Sequence, residues 1–244
     1  MRLVKLQICS LACAMLISQP ISNFAQTKPA KKTTPTTTNI SDTEISGGLK
    51  EALLKGVSNA IRSLGRENGF LGNLRVKIPV PSSLRRVEKG LRAAGQGKKV
   101  DDFVGAMNHA AEKAVPVAFD IFADSIKQMT FDDARKILFS GQDDSATQYF
   151  RRTTEETLRG KFRPIVEKFT AETGVTAQYK KMVGKAGFLS ALGGKDASDI
   201  DGYVTQKALD GLFLLVADEE KNIRKNPLGR TTDLLTKVFG GIFK

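Results

Sequence analysis

The spacing of apolar residues is the feature that most constrains how this chain folds. From residue 42 onward, apolar side chains recur every three or four positions, as in Leu49, Leu53, Val57 and Leu64. That interval places them on one face of an α-helix, and no segment shows the convincing period-two alternation of a half-buried strand. The sequence therefore predicts an all-α fold, with a single compact domain of about eight helices over residues 42–244.

Prolines, glycines and capping residues divide this pattern into separate helices. The segments RENGFLGN and KIPVP interrupt it after the first helix, because their glycines and prolines oppose a continuous helix. Pro116 is expected to kink or split the long pattern over residues 100–129. Thr130 with Asp133 predicts the capped start of a short helix, and the acidic pair 143–144 predicts the start of the next. Further helices fit residues 163–185, 200–224 and 231–240.

The first 25 residues have the layout of a secretory signal peptide. A basic start with Arg2 and Lys5 precedes a short apolar run, and the residues NFA suit cleavage after Ala25. The apolar run is too short to cross a bilayer. We therefore expect an exported protein of the periplasm or cell envelope. The alternative is a lipoprotein acylated at Cys13, although the leucine of SLAC lies one position away from its place in a lipobox.

The composition after residue 25 narrows the possible chemistry. Both cysteines lie in the leader, so the mature chain has no thiol chemistry, no thiolate metal site and no iron–sulfur cluster. Residues 26–41 are rich in threonine, proline and lysine and predict a disordered tether. The formal net charge is +12, and removal of Arg2 and Lys5 lowers it to +10. Outside the cytoplasm, this charge favours anionic lipids or small acidic ligands, and we expect neither nucleic acid nor a transmembrane span in the mature chain.

The motifs of common enzymes and metal sites are absent from the sequence. His109 is the only histidine, so HExxH and histidine-rich metal sites are excluded, and no G-x-S-x-G nucleophile elbow occurs. The segment KDASDIDGYV resembles part of a calcium loop, but Ala197 and Ala208 stand where the first ligand and the bidentate carboxylate belong. Asp199 or Asp201 is instead expected to cap the following helix. We therefore predict no metal and no cofactor, and we favour a non-catalytic protein.

The segment ATQYFRR, residues 146–152, places two aromatic residues directly before two arginines. Its helical phase predicts a buried face and an adjacent polar stripe. The buried face is Ala146, Tyr149, Phe150 and Thr153, and the stripe is Gln148, Arg152, Glu155 and Arg159. A guanidinium group pairs with a carboxylate of the protein or with a carboxylate or phosphate of a ligand. We expect a side-chain partner for at least one of Arg151 and Arg152.

Eight short segments occur in a familiar order and spacing: GLKEAL, NGFLGN, IPVP, MNHAAEKAVP, QMTFDDARKIL, SATQYFRR, YVTQKALDGLF and EEKNIRKNP. Together they resemble the bacterial family catalogued as domain of unknown function 4197, over nearly all of residues 42–240. The resemblance implies an exported or lipoprotein-like protein of the cell envelope, and it brings no established activity. One departure is His109, where members of the family usually have arginine, so a catalytic His109 would not be a family property.

The family motifs fall on polar positions that supply the candidate site residues. The residues predicted to bind a ligand are Asn108, Glu112, Gln148, Tyr149, Arg151, Arg152, Gln206, Asp210 and Arg224, and Asp133 and Glu220 are further motif positions. Such a set arises either from a ligand site or from a buried network that fixes the fold. Both interpretations stay open at the level of the sequence.

Three functions are compatible with these residues. The favoured one is a non-catalytic binding module of the cell envelope, in which a basic groove near Arg151, Arg152 and Arg224 holds an anionic ligand, a lipid or a partner protein. The alternative is a hydrolase-type enzyme that uses Asp or Glu with an arginine. It requires several acidic motif residues to converge in one pocket, namely Glu112, Asp133, Asp210 and Glu220. The third is a structural or assembly protein whose apolar segment LLTKVFGGIFK docks on a neighbour or a membrane.

Overall fold

A computed structural model describes residues 42–178, 181 and 199–225. This part of the chain is all-α and contains no β-strand. The helices are α1 (Asp42–Gly65), α2 (Arg85–Ala93), α3 (Gly97–Ala114), α4 (Ala118–Gln128), α5 (Phe131–Phe139), α6 (Ser145–Glu172) and α7 (Ile200–Lys225), with 3-10 turns at Ser82–Leu84 and Val115–Val117. The predicted leader, tether, helix 231–240 and apolar segment LLTKVFGGIFK lie outside the described residues.

The predicted helix boundaries at Pro116 and Thr130 are confirmed. Pro116 sits in the 3-10 turn that separates α3 from α4. Thr130 caps α5, since its hydroxyl accepts the backbone N–H of Asp133 at 3.2 Å while its own N–H donates to the Asp133 carboxylate at 3.1 Å. This reciprocal capping box satisfies two backbone donors at the helix start. Asp199 caps α7 in a related way, because its carboxylate accepts the N–H of Gly202 at 2.8 Å.

The predicted boundary near residue 163 is wrong, because α6 continues from Ser145 to Glu172 through Pro164. Proline has no N–H to donate to the carbonyl four residues earlier, which belongs to Gly160. Gly160 and Pro164 are both exposed, so water can hydrate that carbonyl and the helix continues. The helix ends shortly before Gly174, whose φ of +73° lies in the left-handed region that glycine tolerates.

The hydrophobic core lies where α6 and α7 pack along each other and against α1 and α3. Phenylalanine side chains supply its largest fully buried groups. The ring of Phe122 contacts those of Phe150 and Phe213 edge to face, with centroid distances of 5.1 Å and 6.0 Å. Burying side chains of this size contributes about 1.5–3 kcal/mol each. No helix in the described ranges combines the length and the apolar character needed to cross a bilayer.

The non-helical segment 66–81 packs closely on α7 at Gly211. The fully buried Phe70 of this segment lies directly over Gly211. A Cβ atom at position 211 would lie 2.7 Å from Cε1 of Phe70 and 3.2 Å from Cβ of Val76. The absence of a side chain at 211 therefore permits the close approach of the segment to α7.

We predict that Gly211→Ala destabilises the protein by about 1–3 kcal/mol, because the added methyl group overpacks the contact with Phe70. The free energy of unfolding from urea denaturation measures this change. Gly105→Ala in α3 is the matched control, since nothing lies within 4 Å of the position that its methyl group would take. It should be neutral or stabilising by up to about 1 kcal/mol, because alanine favours the helix over glycine. Equal effects of both substitutions would contradict the close approach at Gly211.

Candidate functional site

The candidate residues do not form one groove but fall into four groups, with Arg151 apart from them. Two groups are buried inside the fold and two lie at the surface. The groups are Glu220 with Arg224 at the start of α6, Asn108 with Glu112 on α3, Gln148 with Tyr149 and Arg152 beside α5, and Gln206 with Asp210 on α7.

Glu220 of α7 caps the first turn of α6 from inside the core. One carboxylate oxygen, Oε1, accepts the N–H of Ala146 at 2.9 Å, and the other, Oε2, accepts the N–H and the hydroxyl of Thr147 at 2.8 Å and 2.9 Å. The side chain of Asp144, at the cap position itself, makes no capping bond. Glu220 therefore provides the acceptor that the free N–H groups of a helix start require, and its negative charge suits the positive end of the helix dipole.

Arg224 pairs with Glu220 and joins the same cluster to the end of α5. Its Nε and Nη2 atoms donate to Oε1 of Glu220 at 3.1 Å and 2.8 Å. Nη2 also donates to the carbonyl oxygen of Ile137 at 3.0 Å and to the hydroxyl of Ser145 at 2.7 Å. Arg224 is 9% exposed, and these hydrogen bonds of its guanidinium group lie inside the protein. Arg224 thus holds three helix segments together and does not face an open groove.

The second buried group, on α3, holds the segment 66–81 in place. Asn108 satisfies both backbone polar groups of Ile78, as a neighbouring strand would. Its side-chain oxygen accepts the N–H of Ile78 at 2.8 Å, and its side-chain amide donates to the carbonyl of Ile78 at 2.9 Å. Glu112 accepts the N–H groups of Phe70 at 3.0 Å and Leu71 at 3.2 Å. Its other oxygen lies 2.7 Å from Nδ1 of His109. These contacts give the buried network that the motifs left open as one interpretation.

Arg151 has side-chain partners, as expected for at least one of the two arginines. Its Nη1 atom lies 3.3 Å from a carboxylate oxygen of Glu155, whose other oxygen accepts from Arg159 at 3.1 Å. The guanidinium carbon of Arg151 also lies 4.4 Å from the ring centroid of Phe213. Arg151 is therefore engaged by an ion pair and by an aromatic face of α7.

The predicted burial of Thr153 is wrong, whereas that of Tyr149 and Phe150 is confirmed. Thr153 is exposed, and Thr154 is buried in its place. The inward line of α6 proceeds in four-residue steps from Phe150 through Thr154 to Leu158, which leaves Thr153 beside it. The Thr154 hydroxyl is accommodated in the core because it donates to the carbonyl of Phe150 at 2.7 Å.

A small cleft lies between α5 and the first turns of α6. It has a volume of about 150 Å³ and is lined by Asp133, Lys136, Ile137, Ser145, Gln148, Tyr149 and Arg152. Tyr149 is 8% exposed, and its hydroxyl, which is open to solvent in the cleft, makes no hydrogen bond to the residues that the structure describes. The guanidinium carbon of Arg152 lies 5.6 Å from the centroid of the Tyr149 ring. We refer to this concavity as the α5–α6 cleft.

Two cations of the α5–α6 cleft, Lys136 and Arg152, make no salt bridge within 4 Å in the described ranges, although both attract the Asp133 carboxylate electrostatically. Asp133 also lines the cleft, but its carboxylate is occupied by the capping box of α5. Hydrogen bonds from the hydroxyl and the N–H of Thr130 hold the pKa of the Asp133 carboxyl below its usual value. Gln148 is also engaged, since its amide donates to Asp144 at 2.9 Å. The cleft therefore offers positive charge and one unused hydroxyl.

The last candidate pair lies on α7 and does not line the α5–α6 cleft. Gln206 donates to the carboxylate of Asp210 at 2.9 Å, and Lys207 lies 3.3 Å from the same carboxylate. Bonds between residues one helical turn apart stabilise the helix surface by a few tenths of a kcal/mol, about 0.2–0.5. This pair therefore supports α7 locally.

The acidic motif residues occupy different places. Glu112 binds the segment 66–81, Glu220 caps α6, Asp210 lies on α7, and Asp133 alone among them reaches the α5–α6 cleft. A hydrolase of the kind considered above needs its acids within reach of one substrate. This placement gives the enzyme hypothesis no support.

Sequence reasoning missed Lys136 as a member of the site. The sequence did contain an indication of this role. Lys136 follows the capping residue Asp133 by three positions, so the two side chains lie on the same face of α5. The pattern of α5 alone does not show that this face meets Arg152 of α6, which depends on how the two helices pack.

The whole described region lies within one family match. The sequence model of a family described as Protein of unknown function (DUF4197) matches residues 39–240. The chain belongs to this family. Helices α1 to α7 of this DUF4197 domain, with both buried polar clusters and the α5–α6 cleft, fall inside the matched range. No curated protein and no solved structure matches the chain.

We predict that Glu220→Ala destabilises the DUF4197 domain by about 3–5 kcal/mol, because it leaves the charge of Arg224 buried without its partner and the start of α6 uncapped. Urea denaturation followed by circular dichroism measures the loss. Asp102→Ala is the control, since its ion pair with Lys98 is exposed and its removal should cost less than about 1 kcal/mol. A Glu220→Ala variant no less stable than the control would refute the structural role of this carboxylate.

Proposed function

We propose that this protein is a non-catalytic binding module and that its α5–α6 cleft takes the carboxylate or phosphate group of an anionic ligand. The observation that carries the proposal is the hydroxyl of the buried residue Tyr149, which has no partner in the described part of the chain and lies beside Lys136 and Arg152. The hydroxyl oxygen is not among the buried side-chain atoms without a partner in the described residues, so it is open to the solvent of the cleft. A ligand oxygen can replace water as its hydrogen-bond partner there.

The donors of the cleft suit a negatively charged oxygen. The Tyr149 hydroxyl, the Lys136 ammonium and the Arg152 guanidinium all donate, and hydrogen bonds to an anion are about twice as strong as those between neutral groups. The carboxylate of Asp133 opposes an anion, but the two cations outnumber it, and Thr130 donates two hydrogen bonds to its Oδ2. The balance in the cleft therefore favours an anion.

The size of the cleft limits how much of a ligand it encloses. Sites for whole small molecules usually measure roughly 300–1,000 Å³, whereas this cleft measures about 150 Å³. It therefore suits one acidic group, with the rest of the ligand outside.

We predict that Arg152→Ala and Tyr149→Phe weaken binding of inorganic phosphate, measured by isothermal titration calorimetry at low ionic strength. Loss of the charged donor should cost about 1.5–3 kcal/mol, and loss of the hydroxyl about 0.5–1.5 kcal/mol. Arg135→Ala is the matched control, because Arg135 is exposed on the same helix as Lys136 and does not line the cleft. Affinity lost equally in the control, or unchanged in both cleft variants, would reject the proposed site.

We also propose that the protein works outside the cytoplasm. The support is the basic and apolar leader that ends at Ala25 in the sequence. When the full chain is expressed in a bacterial host, we expect it in the envelope fraction with a mature N-terminus at Gln26, identified by intact mass. A mass increase from a lipid on Cys13 would support the lipoprotein alternative instead, and an uncleaved cytoplasmic chain would contradict export.

A further inference from the structure

A second and larger concavity lies between the segment 66–81, α2 and α3. Its volume is about 630 Å³, which falls within the roughly 300–1,000 Å³ of small-molecule sites. We refer to it as the α2–α3 pocket. It is lined by Leu71, Lys77, Pro79, Val80, Arg85, Glu88, Lys89, Arg92, Asp101 and Val104.

Part of the lining of the α2–α3 pocket is apolar. Leu71, Pro79 and Val80 contribute from the segment, and Val104 contributes from α3. Val80 and Val104 are buried and belong to the edge of the hydrophobic core. This surface gains free energy when a hydrocarbon group covers it, because apolar area then leaves water.

Four cations also line the pocket, and three of them have no side-chain partner in the described ranges. Arg92 engages the acids Glu88 and Asp101 of the lining, since its Nε donates to Glu88 at 3.1 Å and its Nη2 to Asp101 at 2.8 Å. Lys77, Arg85 and Lys89 have no hydrogen bond or ion pair to a side chain in the ranges that the structure describes. Their charges are therefore available to an anion that enters the pocket.

Polar contacts hold the pocket wall in its shape before any ligand arrives. Asn108 fixes Ile78, which lies between Lys77 and Pro79, and it donates to the carbonyl of Val104 at 2.8 Å. Glu112 accepts the N–H of Leu71, and on the outer side the hydroxyl of Tyr203 donates to the carbonyl of Pro79 at 3.1 Å. A wall fixed in this way loses little conformational entropy on binding.

We propose that the α2–α3 pocket binds a single-chain anionic amphiphile. Its carboxylate, phosphate or sulfate head contacts Lys77, Arg85 and Lys89, and its alkyl chain covers the apolar part of the lining formed by Pro79, Val104 and their neighbours. A bare anion would leave this apolar part in water, and a neutral or cationic amphiphile would leave three cations unpaired. The pocket shares no residue with the α5–α6 cleft, so this proposal does not rest on the function proposed there.

The test uses dodecanoate as the probe, titrated by isothermal titration calorimetry below its micelle concentration. We expect saturable binding near one molecule per chain, and no saturable binding of dodecyltrimethylammonium or acetate. Shortening the chain through decanoate and octanoate should weaken binding by up to about fourfold for each methylene group that the pocket covers. Equal affinity for the cationic amphiphile, or no dependence on chain length, would overturn the proposal.

Two substitutions on one helix separate the pocket from the general positive charge of the protein. Arg85→Ala should weaken dodecanoate binding by about two- to fivefold, and the triple variant of Lys77, Arg85 and Lys89 to alanine by about tenfold or more. Arg86→Ala removes the same charge from the next position of α2, outside the pocket lining, and should leave the affinity unchanged. Equal losses for Arg85→Ala and Arg86→Ala would show nonspecific attraction and overturn the site.

The source of the amphiphile is tested with vesicles. A protein that takes up a single lipid should acquire labelled lysophosphatidylglycerol from phosphatidylcholine vesicles and retain it after the vesicles are removed by gel filtration. The triple variant should lose this transfer, while Arg152→Ala in the other cleft should keep it. Adsorption to vesicles without any transferred lipid, together with no binding of dodecanoate, would refute the proposal, and circular dichroism of each variant verifies that it is folded.

Discussion

The carboxylate of Glu220 is the contact on which the arrangement of the other helices most depends. A helix start presents N–H groups that need acceptors, and a carboxylate inside an apolar core needs donors. Glu220 and the first turn of α6 satisfy each other, and Arg224 supplies the compensating charge. Because Arg224 also binds the carbonyl of Ile137, the ends of α5, α6 and α7 are fixed at one point. The α5–α6 cleft opens beside this point, so its geometry follows from the buried pair.

Buried polar side chains also satisfy the backbone of the one long non-helical stretch in the described residues. The segment 66–81 has no neighbouring strand to satisfy its backbone, and such groups are costly when they are buried without partners. Asn108 and Glu112 of α3 provide the missing donors and acceptors. These contacts also fix one wall of the α2–α3 pocket. Asn108 and Glu112 therefore act here as a buried network that holds the fold, and they do not line the pocket themselves.

The net charge of this protein does not show where its surface is positive. That depends on which cations have a salt-bridge partner and which do not. Several of its arginines are neutralised locally, as Arg92 is by Glu88 and Asp101 and as Arg151 is by Glu155. Exposed pairs of this kind contribute little stability, but they reduce the field over the surface around them. Within the described ranges, two concavities also contain cations that make no salt bridge, at Lys136 with Arg152 and around Arg85. The binding of anions proposed above rests on these two places.

The sequence by itself determined the all-α class, the breaks at Pro116 and in the segment 66–81, and the cap at Thr130, because these depend on residues a few positions apart. It misplaced Thr153 and the helix boundary near residue 163, where burial and solvent access decide the outcome. The sequence placed Arg151, Arg152 and Arg224 together in one predicted basic groove. The tertiary structure distinguishes them: Arg151 pairs with Glu155, Arg152 makes no salt bridge in the described ranges, and Arg224 is buried beside Glu220. Glu220 caps a helix start 74 residues away, and helix packing rather than local spacing brings such groups together.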